Sequence, residues 1–194
     1  MKFFITLVFI LSVISFSLFA QHHVSGVYAN WKDYHENVFS YEINCDSASE
    51  KIKLNHFLSR NYIEIVHAGR KIKLSKDSLF GYRDCNGKDF RFYRNDEKEF
   101  QILESASIVI YDANVPVLGS TGKTIQLVHE YFFSVSPISE IYPLTLLNLK
   151  KSSPGNLKFH DALDVEFSEG QGLSAFDIEH KMYKVNYLLS QSLK

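Results

Sequence analysis

Residues 125–135 constrain this chain more than any other stretch. Ile125, Leu127, His129, Tyr131, Phe133 and Val135 alternate with Gln126, Val128, Glu130, Phe132 and Ser134. Period-two spacing of branched and aromatic residues is the signature of a strand, because successive side chains leave opposite faces of the backbone. Shorter runs repeat the pattern. Ile52, Leu54 and His56 share one face, as do Ile63 with Ile65, and Ile72 with Leu74 between Lys71 and Lys73. Phe100–Leu103 and Ser107–Tyr111 read as further strands, and 112–124, with Pro116, Gly119 and Gly122, reads as a loop. About eight short, closely spaced strands predict an antiparallel β-roll or open barrel. Asn86-Gly87 supplies the positive φ angles of a two-residue hairpin turn. Centring the turn there pairs Arg83 with Phe90, Tyr82 with Arg91 and Gly81 with Phe92.

Past Pro143 the period changes. Leu144–Lys151 reads as a short helix stopped by Ser153-Pro154-Gly155. Asn156 is placed to cap a second, with Phe159, Ala162, Leu163 and Phe167 as its apolar stripe. Ser174-Ala175-Phe176-Asp177 resembles a capping box. Ala175, Ile178, Met182, Val185 and Leu189 then predict a third helix over 174–191. Three short helices could hardly bury their stripes alone. The expected architecture is therefore one α+β domain over 21–194: a β-rich part over 26–140, closed by three C-terminal helices in 141–194.

Residues 1–20 stand apart from this domain. Lys2, then the apolar run from Phe3 to Leu18, then Ala20 before the polar Gln21-His22-His23, have the layout of a signal peptide cleaved after Ala20. The apolar stretch falls short of the ~20 residues of a membrane-spanning helix. No transmembrane segment is expected after cleavage, and the location implied is periplasmic or secreted. Without Lys2 the charge balance is 20 Lys+Arg against 22 Asp+Glu, which argues against a nucleic-acid partner. Export makes a disulfide between Cys45 and Cys85 chemically feasible. The even count favours the bridge over two free thiols.

Several pieces of the chain resemble a group of uncharacterised secreted Bacteroidota proteins. They are Gly26-Val27-Tyr28 with Asp33-Tyr34, Lys71-Ile72-Lys73, Leu79-Phe80-Gly81-Tyr82 with Gly87-Lys88-Asp89-Phe90, Pro143-Leu144-Thr145 with Asn148-Leu149-Lys150, and Phe159-His160-Asp161. The resemblance implies export from a Gram-negative bacterium and carries over no activity or site residue.

Candidate chemistry is sparse. With a free amine at Gln21, the third-position His23 next to His22 would complete a square-planar site suited to Cu(II) or Ni(II); the plainer reading is a polar tail. His160-Asp161 with Asp164 and Glu166 is the densest titratable cluster, but acids there also suit the start of a helix. His129 and Glu130 point to opposite faces of their strand and cannot serve one atom. Gly119–Thr124 ends in Gly-Lys-Thr, yet Val117 stands where a phosphate loop needs Gly. Cys85 reads as structural. Tyr28, Trp31 and Tyr34, with Phe39 and Tyr41, would line a sugar-stacking surface if exposed or complete a core if buried. The sequence calls for no cofactor. The reading is an exported non-enzymatic binding or interaction module with a protein or glycan partner. The alternatives are a secreted hydrolase whose site forms only in the fold and a surface assembly or anchoring subunit.

Overall fold

Alternation along the chain becomes three antiparallel sheets in a computed structural model that describes residues 24–54, 61–93, 99–119, 122 and 124–194. Residues 1–20, expected to be a signal peptide, Gln21-His22-His23 and His56 lie outside the described residues. The main sheet is built from β1 (Val24–Tyr28), β2 (Tyr41–Asn44), β6 (Gly81–Arg83), β7 (Asp89–Arg91), β8 (Phe100–Ser105), β9 (Val109–Leu118), β10 (Ile125–Ser134) and β11 (Tyr142–Pro143). Its order is β11-β10-β9-β8-β7-β6-β1-β2. A second sheet, β3 (Lys51–Lys53), β4 (Tyr62–His67) and β5 (Arg70–Ser75), is inserted between β2 and β6. A third is the small pair β12 (Phe176–Asp177) and β13 (Met182–Tyr183).

The molecule is mixed α+β and mostly sheet, with two departures from the expected architecture. The main sheet does not close into a barrel, since β11 and β2 are its separate edges. Nor are the helices confined to the C-terminal part. α1 (Trp31–His35) lies between β1 and β2, far from α2 (Leu146–Ser152), α3 (Leu157–Glu166) and α4 (Lys184–Ser192). No helix among the described residues is long and apolar enough to cross a membrane.

Alternation distributes the core over both faces of the sheet. Ile108, Ile110 and Phe133 face Leu149, Phe159, Leu163, Phe167, Val185 and Leu189 of the C-terminal helices. The intervening Val109, Tyr111 and Phe132 pack on the other face with Phe100 and Ile141. At the far end, Ile63 and Ile65 of β4 pack with Val27, Ile43, Tyr82 and Phe92. Each such buried side chain stabilises the fold by roughly 1.5–3 kcal/mol relative to exposure. Arg91 is buried among these layers. It donates to the Tyr111 hydroxyl (2.9 Å) and the Ser139 carbonyl (2.7 Å), and its guanidinium lies 5.3 Å from the Tyr93 ring centre.

Three local expectations are corrected. The hairpin at Asn86-Gly87 is there, but its register is Arg83↔Asp89, Tyr82↔Phe90 and Gly81↔Arg91. The loop holds three residues, not two. Gly87 N–H donates to Asp84 C=O, Gly87 takes φ +77°, and Asp84 Oδ1 accepts from the N–H groups of Asn86 and Lys88. A turn followed by a left-handed residue is the other common short hairpin, and the Asp84 carboxylate selects it here. Second, 112–118 is strand rather than loop, because β9 is paired with β10 out to Leu118↔Ile125. Third, the helix expected over 174–191 is cut to Lys184–Ser192. Asp177 accepts from His180 N–H and pairs with its ring, and Lys181 takes φ +53°, so 176–183 folds as the β12–β13 hairpin. Ile178, expected on the buried stripe, is 84% exposed. The cap of α3 is as read, and α2 has one the sequence reading did not name. Asn156 Oδ1 accepts from Phe159 N–H at 3.0 Å, and Thr145 Oγ1 caps α2.

Gly81, opposite Arg91 rather than Phe92, is required by proximity. A Cβ there would sit 1.9 Å from the Phe90 carbonyl oxygen. Gly81→Ala is therefore expected to part β6 from β7 and destabilise the protein by roughly 1–3 kcal/mol, the range for overpacked sites. Thermal denaturation checks this, and an unchanged midpoint would show that the strands part freely.

Candidate functional site

The aromatic segment does fold into one place. Asn30 Oδ1 accepts from Asp33 N–H (3.1 Å), starting α1, and the single turn that follows sets Trp31, Tyr34 and His35 together. The rings of Trp31 and Tyr34 are 5.0 Å apart, those of Trp31 and His35 5.7 Å, and both Trp31 and Tyr34 lean on the buried Phe80. Tyr28 lies beneath them, fully buried, so it supports the surface but cannot touch a ligand. Phe39 covers Gly26, where a Cβ would fall 2.3 Å from its ring. Tyr41 packs into the core beside Val27 and Ile43.

Facing the rings is an ion pair that the aromatic pattern did not reveal. The guanidinium of Arg83 donates through Nε and Nη2 to the two oxygens of Asp89, each at 2.8 Å, and Nη2 also donates to Asn37 Oδ1 at 2.9 Å. The Tyr28 hydroxyl donates to the same Asp89 carboxylate at 2.9 Å. Among the described residues no acceptor takes the N–H groups of Arg83 Nη1. Together Trp31, Tyr34, His35, Asn37, Arg83, Asp89 and Ser105 line an open cleft of about 200 Å³. Arg83 and Asp89 are cross-strand partners flanking the Asn-Gly loop. A three-residue reading of that loop would have set them opposite each other from the sequence alone.

The cleft keeps its phenols neutral. Burial, with the adjacent Asp89 charge second, pushes the Tyr34 hydroxyl up to about 12, and the same two causes raise Tyr28. An unfolded tyrosine ionises near ~10. The stabilisation tied to Tyr34 is thus whole below pH ~10 and lost as pH rises from there to about 12. A phenolate absorbance titration is expected to show late-ionising tyrosines, one of which Tyr34→Phe removes. If all tyrosines ionise together near ~10, Tyr34 is not held in this setting.

Other candidates are given structural work. His160 Nε2 lies 2.9 Å from the Ser153 carbonyl and 3.1 Å from that of Lys150, closing the end of α2. Asp164 pairs with Lys150, and Glu166 with Lys184. His129 Nε2 meets Asp112 Oδ2 at 2.7 Å on an exposed face, outside the cleft. The Gly119–Thr124 segment is a hairpin end, closed by Gly119 N–H to Thr124 C=O; Ser120, Thr121 and Lys123 lie outside the described residues. Cys45 and Cys85 are joined, with Cα atoms 5.6 Å apart. Among the described residues no three His, Cys, Asp or Glu side chains gather as a metal site. Compared against family models, curated proteins and solved structures, the chain matches none, and the geometry of the cleft has to carry the functional argument.

Proposed function

We propose that this chain is an exported bacterial binding module, periplasmic or secreted, whose Trp31–Tyr34 cleft takes one polar ring of a glycan without chemical turnover. The observation that carries the reading is an aromatic wall opposed by a forked Arg83–Asp89 pair in a cleft of about 200 Å³. Flat rings stack on the apolar faces of sugars, while guanidinium N–H groups and carboxylate oxygens bind hydroxyls. The volume is below the roughly 300–1,000 Å³ of drug-sized sites, which suits a single ring. Export is supported by the signal layout of residues 1–20 and by a disulfide, a bond favoured in oxidising compartments.

The test is NMR titration of the chain beginning at Gln21 against a panel of neutral and acidic oligosaccharides. Saturable shifts at Trp31, Tyr34 and Arg83 are expected, with Trp31→Ala weakening the affinity about tenfold. That is the ~1.4 kcal/mol at the upper end of aromatic contact energies. Trp31→Phe, which keeps the packing on Phe80, is expected to retain much of the binding. Hydrolysis of a bound sugar would replace this reading with the hydrolase. Silence across the panel would remove the glycan.

A further inference from the structure

We infer that two copies of this chain associate through the outer edge of β10, pairing Ile125–His129 antiparallel with the same segment of the other copy. β9 and β10 pair along their whole length, from Val109↔Ser134 to Leu118↔Ile125, but their outer neighbours stop early. β8 reaches β9 only as far as Asp112, and β11 meets β10 only at Phe132 and Phe133, followed by Leu144 N–H to Tyr131 C=O. Beyond these points the hairpin is a two-stranded ribbon with both outer edges open among the described residues. Isolated ribbons are marginal in water, and open edges invite pairing.

The two edges differ. Gly119 donates to the opposite Thr124, which sets the phase of the ladder. Val117 with Gln126 and Val115 with Val128 bond inward, while Pro116, Ile125, Leu127 and His129 turn their backbone groups outward. On β9 the outward positions beyond β8 are Asn114, Pro116 and Leu118, and the middle one has no N–H to offer, so that edge is interrupted. On β10, among the described residues, nothing guards the outward groups of Ile125, Leu127 and His129.

That edge is self-complementary. With Leu127 on a two-fold axis, Leu127 meets Leu127 of the copy and Ile125 meets His129. Both backbone groups of each residue are then bonded, as a symmetric antiparallel interface requires. The same register joins the apolar side chains. Leu118, Ile125 and Leu127 share one face of the ribbon and are 73%, 73% and 68% exposed. Glu130, the nearest acid on the strand, falls opposite Thr124 of the copy, so no like charges meet. Glu130 also borders an open cleft of about 370 Å³ beside Tyr131 and Leu144. The ribbon is small against the roughly 1,200–2,000 Å² of a stable interface, so the association is expected to be reversible and concentration-dependent.

Sedimentation velocity across a concentration series, combined with hydrogen exchange, tests this on the chain beginning at Gln21. A monomer–dimer equilibrium is expected. The amides of Ile125, Leu127 and His129 should slow as concentration rises, while those of Gln126 and Val128, already bonded to β9, stay constant. Leu127→Pro removes an outward N–H without breaking a bond to β9 and is expected to weaken dimerisation at least tenfold; Leu127→Lys serves the same purpose without constraining the backbone. A monomer at all concentrations, a dimer protected elsewhere, or a dimer indifferent to both substitutions would overturn the inference.

Discussion

Replacing Cys45 and Cys85 together by serine is expected to lower the unfolding free energy by about 4 kcal/mol, the chain-entropy value for a loop of this length. The two cysteines are 40 residues apart in sequence, and the enclosed stretch contains all of the inserted sheet β3–β4–β5. The bridge also holds an edge. β1 lies between β2 and β6, with Val24 opposite Asn44 and Gly26 opposite Arg83. Cys45 and Cys85 follow those two strands and join them at the end where β1 begins. In a domain of this size 1 kcal/mol corresponds to roughly 2–4 °C, so the midpoint should fall by roughly 8–16 °C. Differential scanning calorimetry of the double variant, and of the native chain with and without reductant, checks the value. A fall below about 1 kcal/mol would mean that the reduced, unfolded chain is already held compact, contrary to the entropic account.

Asn186→Leu is expected to cost about 3 kcal/mol although the two residues are similar in size, because it strands buried polar groups. Asn186 is 1% exposed on α4. Its Oδ1 accepts from Ile108 N–H at 2.9 Å, and its Nδ2 donates to Ile108 C=O at 3.0 Å and to Glu104. One amide thereby serves both backbone groups at the entry to β9. Glu104 can reach it because β8 carries a bulge between Ile102 and Glu104, which turns this residue toward α4; its carboxylate also accepts from Tyr183 N–H at 3.2 Å, just before the helix. Leucine would leave the Ile108 amide without an acceptor at about 1–3 kcal/mol, with a further loss at Glu104. Urea denaturation gives the size of the effect, and hydrogen exchange at Ile108 its place. An unchanged stability would indicate that water takes over the bonds of the amide.

Much of the strand and helix content was legible in the chain. The period of 125–135 required a strand, and Asn156 followed by Phe159 and Leu163 required a capped helix, because both signals act between residues only two to four apart. The failures share a cause. The pattern at Ala175, Ile178 and Met182 is helical in spacing, but Asp177 and His180 bond locally to each other and hold a hairpin instead. The hairpin at Gly87 was placed correctly and its register missed by one residue, because the Asp84 carboxylate decided between two short loops that Asn-Gly permits equally. That single step also hid the Arg83–Asp89 pair, and with it the charged side of the cleft.

What the sequence by itself determined is local: alternation that demands sheet, a cap that starts α3, a turn near Gly87, and an N-terminal segment with the layout of a signal. What only the tertiary structure decided is which surfaces meet. Trp31, Tyr34, Arg83 and Asp89 come from two segments about fifty residues apart and converge because β1, β6 and β7 are neighbours in one sheet. Whether the aromatics of 28–41 were core or surface depended on distant partners: Tyr28 is fully buried beneath Tyr34 and Phe39, while Trp31, resting on Phe80, and Phe39, resting on Gly26, stay partly open. Contacts of this range are set by burial summed over the whole molecule, and no short window of residues contains that sum.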